Sequence, residues 1–145
     1  MCLVSKWKFP RKAKEDIICY KILTRRNGIY ETPIIYTSVD INKPLIAKGN
    51  SFRIVNPDIK DIGYIHTLMF VTDGKEIIKR GGYIKASIWK CIIPKGTKYH
   101  ISKIRYEYCS KQIIFIEKVY EIYKSRMARN SGLYDESSIQ RRSRI

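Results

Sequence analysis

The chain has 145 residues, of which 44% are hydrophobic and 29% are charged, and this balance is typical of one globular domain rather than of a disordered chain. No run of about 18 apolar residues occurs, which excludes a transmembrane helix. Lys and Arg number 29 against 13 Asp and Glu, so the formal charge is +16.

The charge excess is the first pointer to function. A strongly basic surface attracts polyanions through a long-range field, and nucleic acid is the usual partner. A compositional explanation competes, because Ile, Lys and Tyr have A+T-rich codons and the chain holds 26 Ile, 18 Lys and 11 Tyr. No helix-turn-helix, zinc-finger or RNA-recognition signature accompanies the charge. Nucleic acid and an acidic protein are therefore the candidate partners, and we expect no membrane partner.

Composition divides the chain into three parts. We predict a basic N-terminal arm over residues 1–15, a single α+β domain over residues 16–124 and a flexible basic tail over residues 125–145, where Ser and Arg replace apolar residues. For the domain we predict a mostly antiparallel sheet of five to seven short strands with one or two short helices packed on it.

Runs of β-branched and aromatic residues locate the first strands. Ile17–Leu23 predicts a strand that ends in a turn at Arg26–Gly28, and shorter strands are predicted at Ile34–Tyr36 and Ser51–Val55. The apolar run Ile62–Val71 fits either a strand or a short buried helix, because periodicity alone does not separate the two.

The second half alternates turn signals with apolar runs. Thr72–Gly74 predicts the N-cap of a short helix, and Gly81-Gly82 predicts its end. Strands are predicted over Tyr83–Ile93 and Thr97–Ile101, on either side of a turn at Pro94–Gly96.

The last apolar run supports two interpretations. Gln112–Ile116 is typical of a strand, while apolar residues along the same stretch also recur at spacings of three and four, as in a helix. We predict a strand through Glu117, followed by a helix from about Val119 to Ala128.

The four cysteines do not form a metal-site pattern. Cys2, Cys19, Cys91 and Cys109 include no C-x-x-C pair, so we predict no metal site and no cofactor. Cys19 and Cys91 lie in apolar runs and are predicted to be buried. Since residues 1–10 lack a long apolar signal segment, we expect a cytoplasmic protein with reduced thiols.

Signatures of catalysis are absent from the sequence. Neither a G-x-S-x-G elbow nor a phosphate-binding loop occurs. Cys–His catalysis would need Cys19, Cys91 or Cys109 close to His66 or His100. Of these, Cys91 and His100 flank the same predicted turn, but cross-strand neighbours are common without chemistry. We predict no catalytic residue and favour a non-enzymatic protein.

Each histidine has its own expected environment. His66 lies in an apolar run and is the candidate functional histidine, although a lone histidine there is more often a hydrogen-bonded core residue. His100 alternates to the polar side of its predicted strand, where we expect it to be solvated.

Three stretches together carry a resemblance. They are DIICYKILTRR at residues 16–26, IGYIHT at residues 62–67 and KCIIPKGTKYHI…EYCSKQIIFIE at residues 90–117. In this combination the chain resembles small uncharacterised proteins of gut anaerobes and their phages or mobile elements, over roughly residues 1–118. The resemblance implies a genomic setting and not an activity.

A more distant resemblance concerns CIIPKGTKYHI at residues 91–101. This string is similar to a strand pair of ADP-ribosyltransferase-like domains, in which a Glu-x-Glu precedes it and an early strand carries an Arg. The matching positions here hold Ile88, Lys90 and Lys21, and the family's Ser-Thr-Ser strand has no counterpart in GYIHTLMF. The resemblance therefore implies at most a degenerate scaffold without the transferase chemistry. We favour the simpler explanation that Pro-Lys-Gly-Thr is a plain turn between two strands.

One segment interleaves tyrosines with basic residues, KGTKYHISKIRYEY at residues 95–108. This composition is typical of a surface that stacks bases and contacts phosphates of a single strand. We favour the alternative, a hairpin with half-buried tyrosines and solvated lysines. The candidate partner-binding residues are Lys95, Lys98, Tyr99, Lys103, Arg105 and Tyr106.

Three classes of function follow from these observations. The leading hypothesis is a small non-enzymatic accessory protein of a mobile element that acts by binding a partner. The second is a nucleic-acid-binding protein without sequence preference, and the third is a degenerate ADP-ribosyltransferase-like domain.

Overall fold

The computed structural model describes residues 11–32, 38–47, 64–102 and 105–123. Four sequence predictions lie outside these residues: the strands Ile34–Tyr36 and Ser51–Val55, the first ten residues of the arm, and the tail over residues 125–145. Lys103 lies outside them as well.

Ten strands and one helix occur in the described ranges. They are β1 (Arg11–Lys12), β2 (Ile17–Arg26), β3 (Ile29–Glu31), β4 (Ser38–Val39), β5 (Leu45–Ile46), β6 (Ile65–Leu68), α1 (Val71–Gly81), β7 (Lys85–Ile93), β8 (Lys98–Ser102), β9 (Glu107–Ser110) and β10 (Gln112–Tyr123). Every strand pair is antiparallel. The mostly antiparallel sheet is confirmed, in an α+β or mainly β arrangement.

The number of strands, predicted as five to seven, is wrong. Several of the added strands are only two residues long, and β9 lacks the apolar run that marks a strand. β9 forms because β6 and β8 offer backbone hydrogen-bonding partners on its two sides. Such pairing comes from distant segments, so it leaves no local pattern in the sequence.

The sheet curves back on itself. Its strands follow the order β1-β8-β9-β6-β2-β7-β10-β5, so β7 and β8 have three strands between them. The four residues that join these two strands reach about 17 Å, whereas four strand spacings in a flat sheet measure about 19 Å. The connection is therefore too short for a flat sheet, so the sheet must curve to bring β8 toward β7. One face of the sheet holds the larger core, which includes Cys19, Leu23, Ile65, Trp89, Cys91 and Ile113.

Helix α1 covers the other face of the sheet. It begins at Val71, after an extended Phe70 whose side chain makes no capping hydrogen bond, so the predicted N-cap at Thr72–Gly74 is wrong. Val71 already lies in the helix, where it packs against a second cluster of buried residues that includes Ile22, Leu68, Ile78 and Ile88. The predicted end is confirmed, because Gly82 has the left-handed φ of 62° that terminates a helix. At 11 residues, α1 is neither long nor apolar enough to cross a membrane, and the described ranges hold no other helix.

The predicted helix from Val119 is wrong over its described part, because β10 continues to Tyr123. β10 pairs with β7 along Ile114–Tyr123, and β-bulges interrupt the register at Ile116 and Val119. The added bulge residues shift the apolar side chains out of strict alternation and produce the spacing that resembles a helix. Pairing with the long strand β7 makes residues 119–123 a strand rather than a helix.

Candidate nucleic-acid interface

The predicted partner-binding residues separate into two groups at opposite ends of β8. Lys95 and Lys98 are exposed at its start. Arg105 and Tyr106 lie in the turn after its end, where Tyr106 is 51% exposed and stacks edge-on against Phe70 at 5.6 Å between ring centroids. The structure therefore does not bring these residues together as one site.

The segment around Tyr99 confirms the hairpin that the sequence offered as an alternative. Strands β8 and β9 pair in register from Tyr99–Ser110 to Ser102–Glu107. Tyr99 is half-buried, and its ring centroid lies 6.3 Å from that of Tyr108. Its ring is therefore engaged with the protein, and at the start of β8 the exposed lysines are the groups that can meet a partner.

Strand β1 adds basic residues beside Lys95 and Lys98. Lys12 pairs directly with Lys98 in the antiparallel ladder. The backbone amide of Ala13 donates to Thr97 O at 2.9 Å, and the Gly96 amide donates to Ala13 O at 2.8 Å. These bonds place Lys14 next to the turn that carries Lys95. We define the basic edge as Lys12, Lys14, Lys95 and Lys98, all of them exposed.

The electrostatics of the basic edge are unusual. Like charges directly opposite each other on paired strands destabilise a sheet, and Lys12 and Lys98 are such a pair. No acidic side chain of the described residues forms an ion pair with any of the four lysines. The Asp16 carboxylate instead accepts the backbone amide of Lys95 at 2.9 Å. The basic edge thus concentrates four lysines without a direct ion pair, with the Asp16 carboxylate beside the turn that carries Lys95.

Sequence reasoning missed Lys12 and Lys14 as partners of the predicted site. Both lie in the basic arm that we predicted, where Arg11 and Lys12 provide no apolar alternation that would indicate a strand. They join Lys98 only because residues more than eighty positions apart pair in the ladder.

His66 is buried in β6 and contacts a thiol. It is 7% exposed, and its Nε2 lies 3.7 Å from the Sγ of Cys109 on the neighbouring strand. Burial lowers the pKa of His66 to about 3 and raises the pKa of the Cys109 thiol above its ordinary value. Both groups are neutral near pH 7, so the pair lacks the thiolate that nucleophilic catalysis requires.

His100 and Cys91 do not meet. Three strands separate β8 from β7, and Cys91 instead pairs with Cys19 on β2. The expectation that His100 is solvated is wrong, because it is buried opposite Cys109 and its ring lies 5.7 Å from that of Tyr64. The buried side of β8 carries His100 and Ser102, whereas Tyr99 and Ile101 are only half-buried. Cys19 and Cys91 are buried, as predicted.

Two carboxylates each have a buried oxygen. Glu107 Oε2 and Asp73 Oδ2 have no hydrogen-bond partner among the described residues, and burial raises the pKa of Glu107. The described residues hold no group of three potential metal ligands. These carboxylates therefore do not form a recognisable metal centre.

The positions compared with ADP-ribosyltransferase-like domains hold structural residues. Ile88 is fully buried under α1, and the Lys21 ammonium donates to the backbone oxygen of His66 at 2.8 Å. No protein-family model, curated protein or solved structure matches this chain. The two resemblances seen in the sequence stay predictions.

Proposed function

We propose that the protein is non-enzymatic and acts by binding nucleic acid at the basic edge, without sequence preference. The observation that carries the proposal is the direct pairing of Lys12 with Lys98, flanked by Lys14 and Lys95 and without an acidic partner in the described ranges. The like-charge pair is unfavourable in the free protein. A chain of phosphates between the lysines would remove that repulsion.

The chemistry of the basic edge favours phosphate contacts over base recognition. Lysine ammonium groups act as point charges on phosphates, and the neutralised strand releases its counterions to solvent. Contacts of this kind position a nucleic acid but do not read its sequence. Binding should therefore be tight at low salt, weaken as salt rises and vary little with base order.

The test is a titration of a fluorescently labelled oligonucleotide with the full chain at two salt concentrations. The variant Lys12→Glu/Lys98→Glu should lower affinity by roughly tenfold or more at low salt. It should also flatten the salt dependence, because each lost phosphate contact reduces the slope of log binding constant against log salt concentration by about one unit. The matched control Lys75→Glu/Lys79→Glu makes the same change of charge on α1, away from β1 and β8.

Two results would contradict the proposal. One is equal weakening by the edge variant and the helix control, which would mean that only net charge matters. The other is the absence of salt-sensitive binding, in which case an acidic protein becomes the partner to seek.

A further inference from the structure

A groove of about 480 Å³ lies at the other end of the long central strands. The β2–β3 hairpin contributes Arg25, Gly28 and Tyr30 to its lining, the start of β7 contributes Lys85, and the end of β10 contributes Glu121 and Tyr123. Its volume is in the range of small-molecule sites, about 300–1,000 Å³. We call it the aromatic groove.

Two cations of the aromatic groove are held against aromatic rings. The Arg25 guanidinium carbon lies 5.1 Å from the centroid of Tyr30, and the Lys85 ammonium lies 5.0 Å from the centroid of Tyr123. Neither cation forms an ion pair with an acidic side chain of the described residues. Glu121, the carboxylate of the groove, pairs with Lys118 at 2.9 Å. The groove therefore presents two uncompensated positive charges.

The rings of the aromatic groove differ in how firmly they are held. Tyr30 packs edge-on against the buried Trp89, with 5.4 Å between ring centroids, which fixes its position. Tyr123 is 54% exposed, so much of its ring is open to solvent. A fixed ring and an exposed ring beside two cations combine a surface for stacking with a site for phosphate.

We infer that the aromatic groove binds a nucleoside phosphate unit, either free or as part of a single strand. The base stacks on the exposed tyrosine ring, and the phosphate contacts Arg25 and Lys85. The second carboxylate oxygen of Glu121 can accept a hydrogen bond from a sugar hydroxyl or a base amino group. Inorganic phosphate alone would satisfy only the cations.

This inference deepens the proposed function and rests on it for its link to nucleic acid. The aromatic groove and the basic edge lie near opposite ends of β7, which are about 30 Å apart along a nine-residue strand. A mononucleotide can reach only one of them. A single strand long enough to span β7 could occupy both, whereas a duplex would hide its bases from the groove.

The test is calorimetric titration of the full chain with adenosine monophosphate and, separately, with inorganic phosphate. We expect the nucleotide to bind at least tenfold more tightly than phosphate. Tyr123→Leu should remove most of that preference, and Lys85→Gln should weaken the nucleotide severalfold. The matched control is Lys75→Gln, because the Lys75 ammonium lies over Tyr120 at 4.9 Å in the same kind of pair outside the groove.

The two proposals can fail separately. The variant Lys12→Glu/Lys98→Glu should leave mononucleotide binding unchanged while it weakens the oligonucleotide. The inference is overturned if adenosine monophosphate binds no better than phosphate, or if Lys75→Gln weakens it as much as Lys85→Gln. Displacement of the nucleotide by an unlabelled single strand assigns the groove to nucleic acid, and a failure to displace it assigns the groove to the free nucleotide.

Discussion

At the scale of single residues, burial decides the chemistry of the ionisable groups. His66, Cys109 and Lys21 lie close together, and desolvation by burial is the largest cause of the pKa shift of each. Burial moves all three toward their neutral forms. A histidine, a thiol and a lysine that the fold brings together suggest catalysis, but here the cluster belongs to the core.

The titration of His66 provides a prediction at this scale. Its folded pKa of about 3 lies below the ordinary 6.5, so the unfolded chain binds the proton more tightly. The free energy of unfolding should therefore fall as pH drops from about 6.5 toward 3, by up to a few kcal/mol at about 1.4 kcal/mol per pKa unit. Urea denaturation across this range checks it.

The variant His66→Gln should show a flatter pH profile than the parent chain. Proton NMR offers an independent check, since the chain has two histidines and the His66 ring should not titrate between pH 5 and pH 8. An imidazole signal of His66 that titrates near pH 6.5 would disprove the buried, neutral assignment.

At the scale of elements, the turn between β2 and β3 shows what local sequence decides. Two residues, Asn27 and Gly28, join the strands with φ angles of 51° and 79°. Both angles lie in the left-handed region, which suits the tight hairpin turn that Asn-Gly predicts. In contrast, β9 and the second half of β10 depend on partner strands, and local patterns did not predict them.

The variant Gly28→Ala tests this turn. A Cβ at Gly28 would meet nothing within 4 Å, so the cost is conformational and should be about 1 kcal/mol. Thermal denaturation of the two chains measures the difference. Asn27→Gly is the matched control and should change stability little, because glycine accepts the same φ. A neutral Gly28→Ala would mean that the hairpin has a different turn.

At the scale of the whole molecule, four of the 29 basic residues meet at the basic edge, where strands distant in sequence pair. The repulsion between Lys12 and Lys98 lowers the stability of the free protein, and a single acidic residue at either position would remove it. A bound phosphate would remove the same repulsion, so the repulsion favours binding. Stability and affinity should therefore respond in opposite directions to a change at Lys98.

The variant Lys98→Glu should stabilise the free protein by up to about 1 kcal/mol, because it converts a like-charge cross-strand pair into an opposite-charge pair. The same change should weaken oligonucleotide binding. Melting temperatures at low and physiological ionic strength provide the check, since salt screens the Lys12–Lys98 repulsion. The Tm of the parent chain should rise with salt more than that of the variant. A variant that melts earlier at low salt would contradict this account.

Local pattern in the sequence was sufficient for β2, β7, β8, the Asn-Gly turn and the glycine end of α1. The reason is that alternation, β-branching and positive φ act within a few residues. The tertiary structure decided which strands are neighbours, because pairing depends on contacts between distant residues. It separated Cys91 from His100, buried His100, extended β10 to Tyr123 and placed Lys12 opposite Lys98. The excess of positive charge is evident from the composition, but only the folded sheet brings the four lysines of the basic edge together.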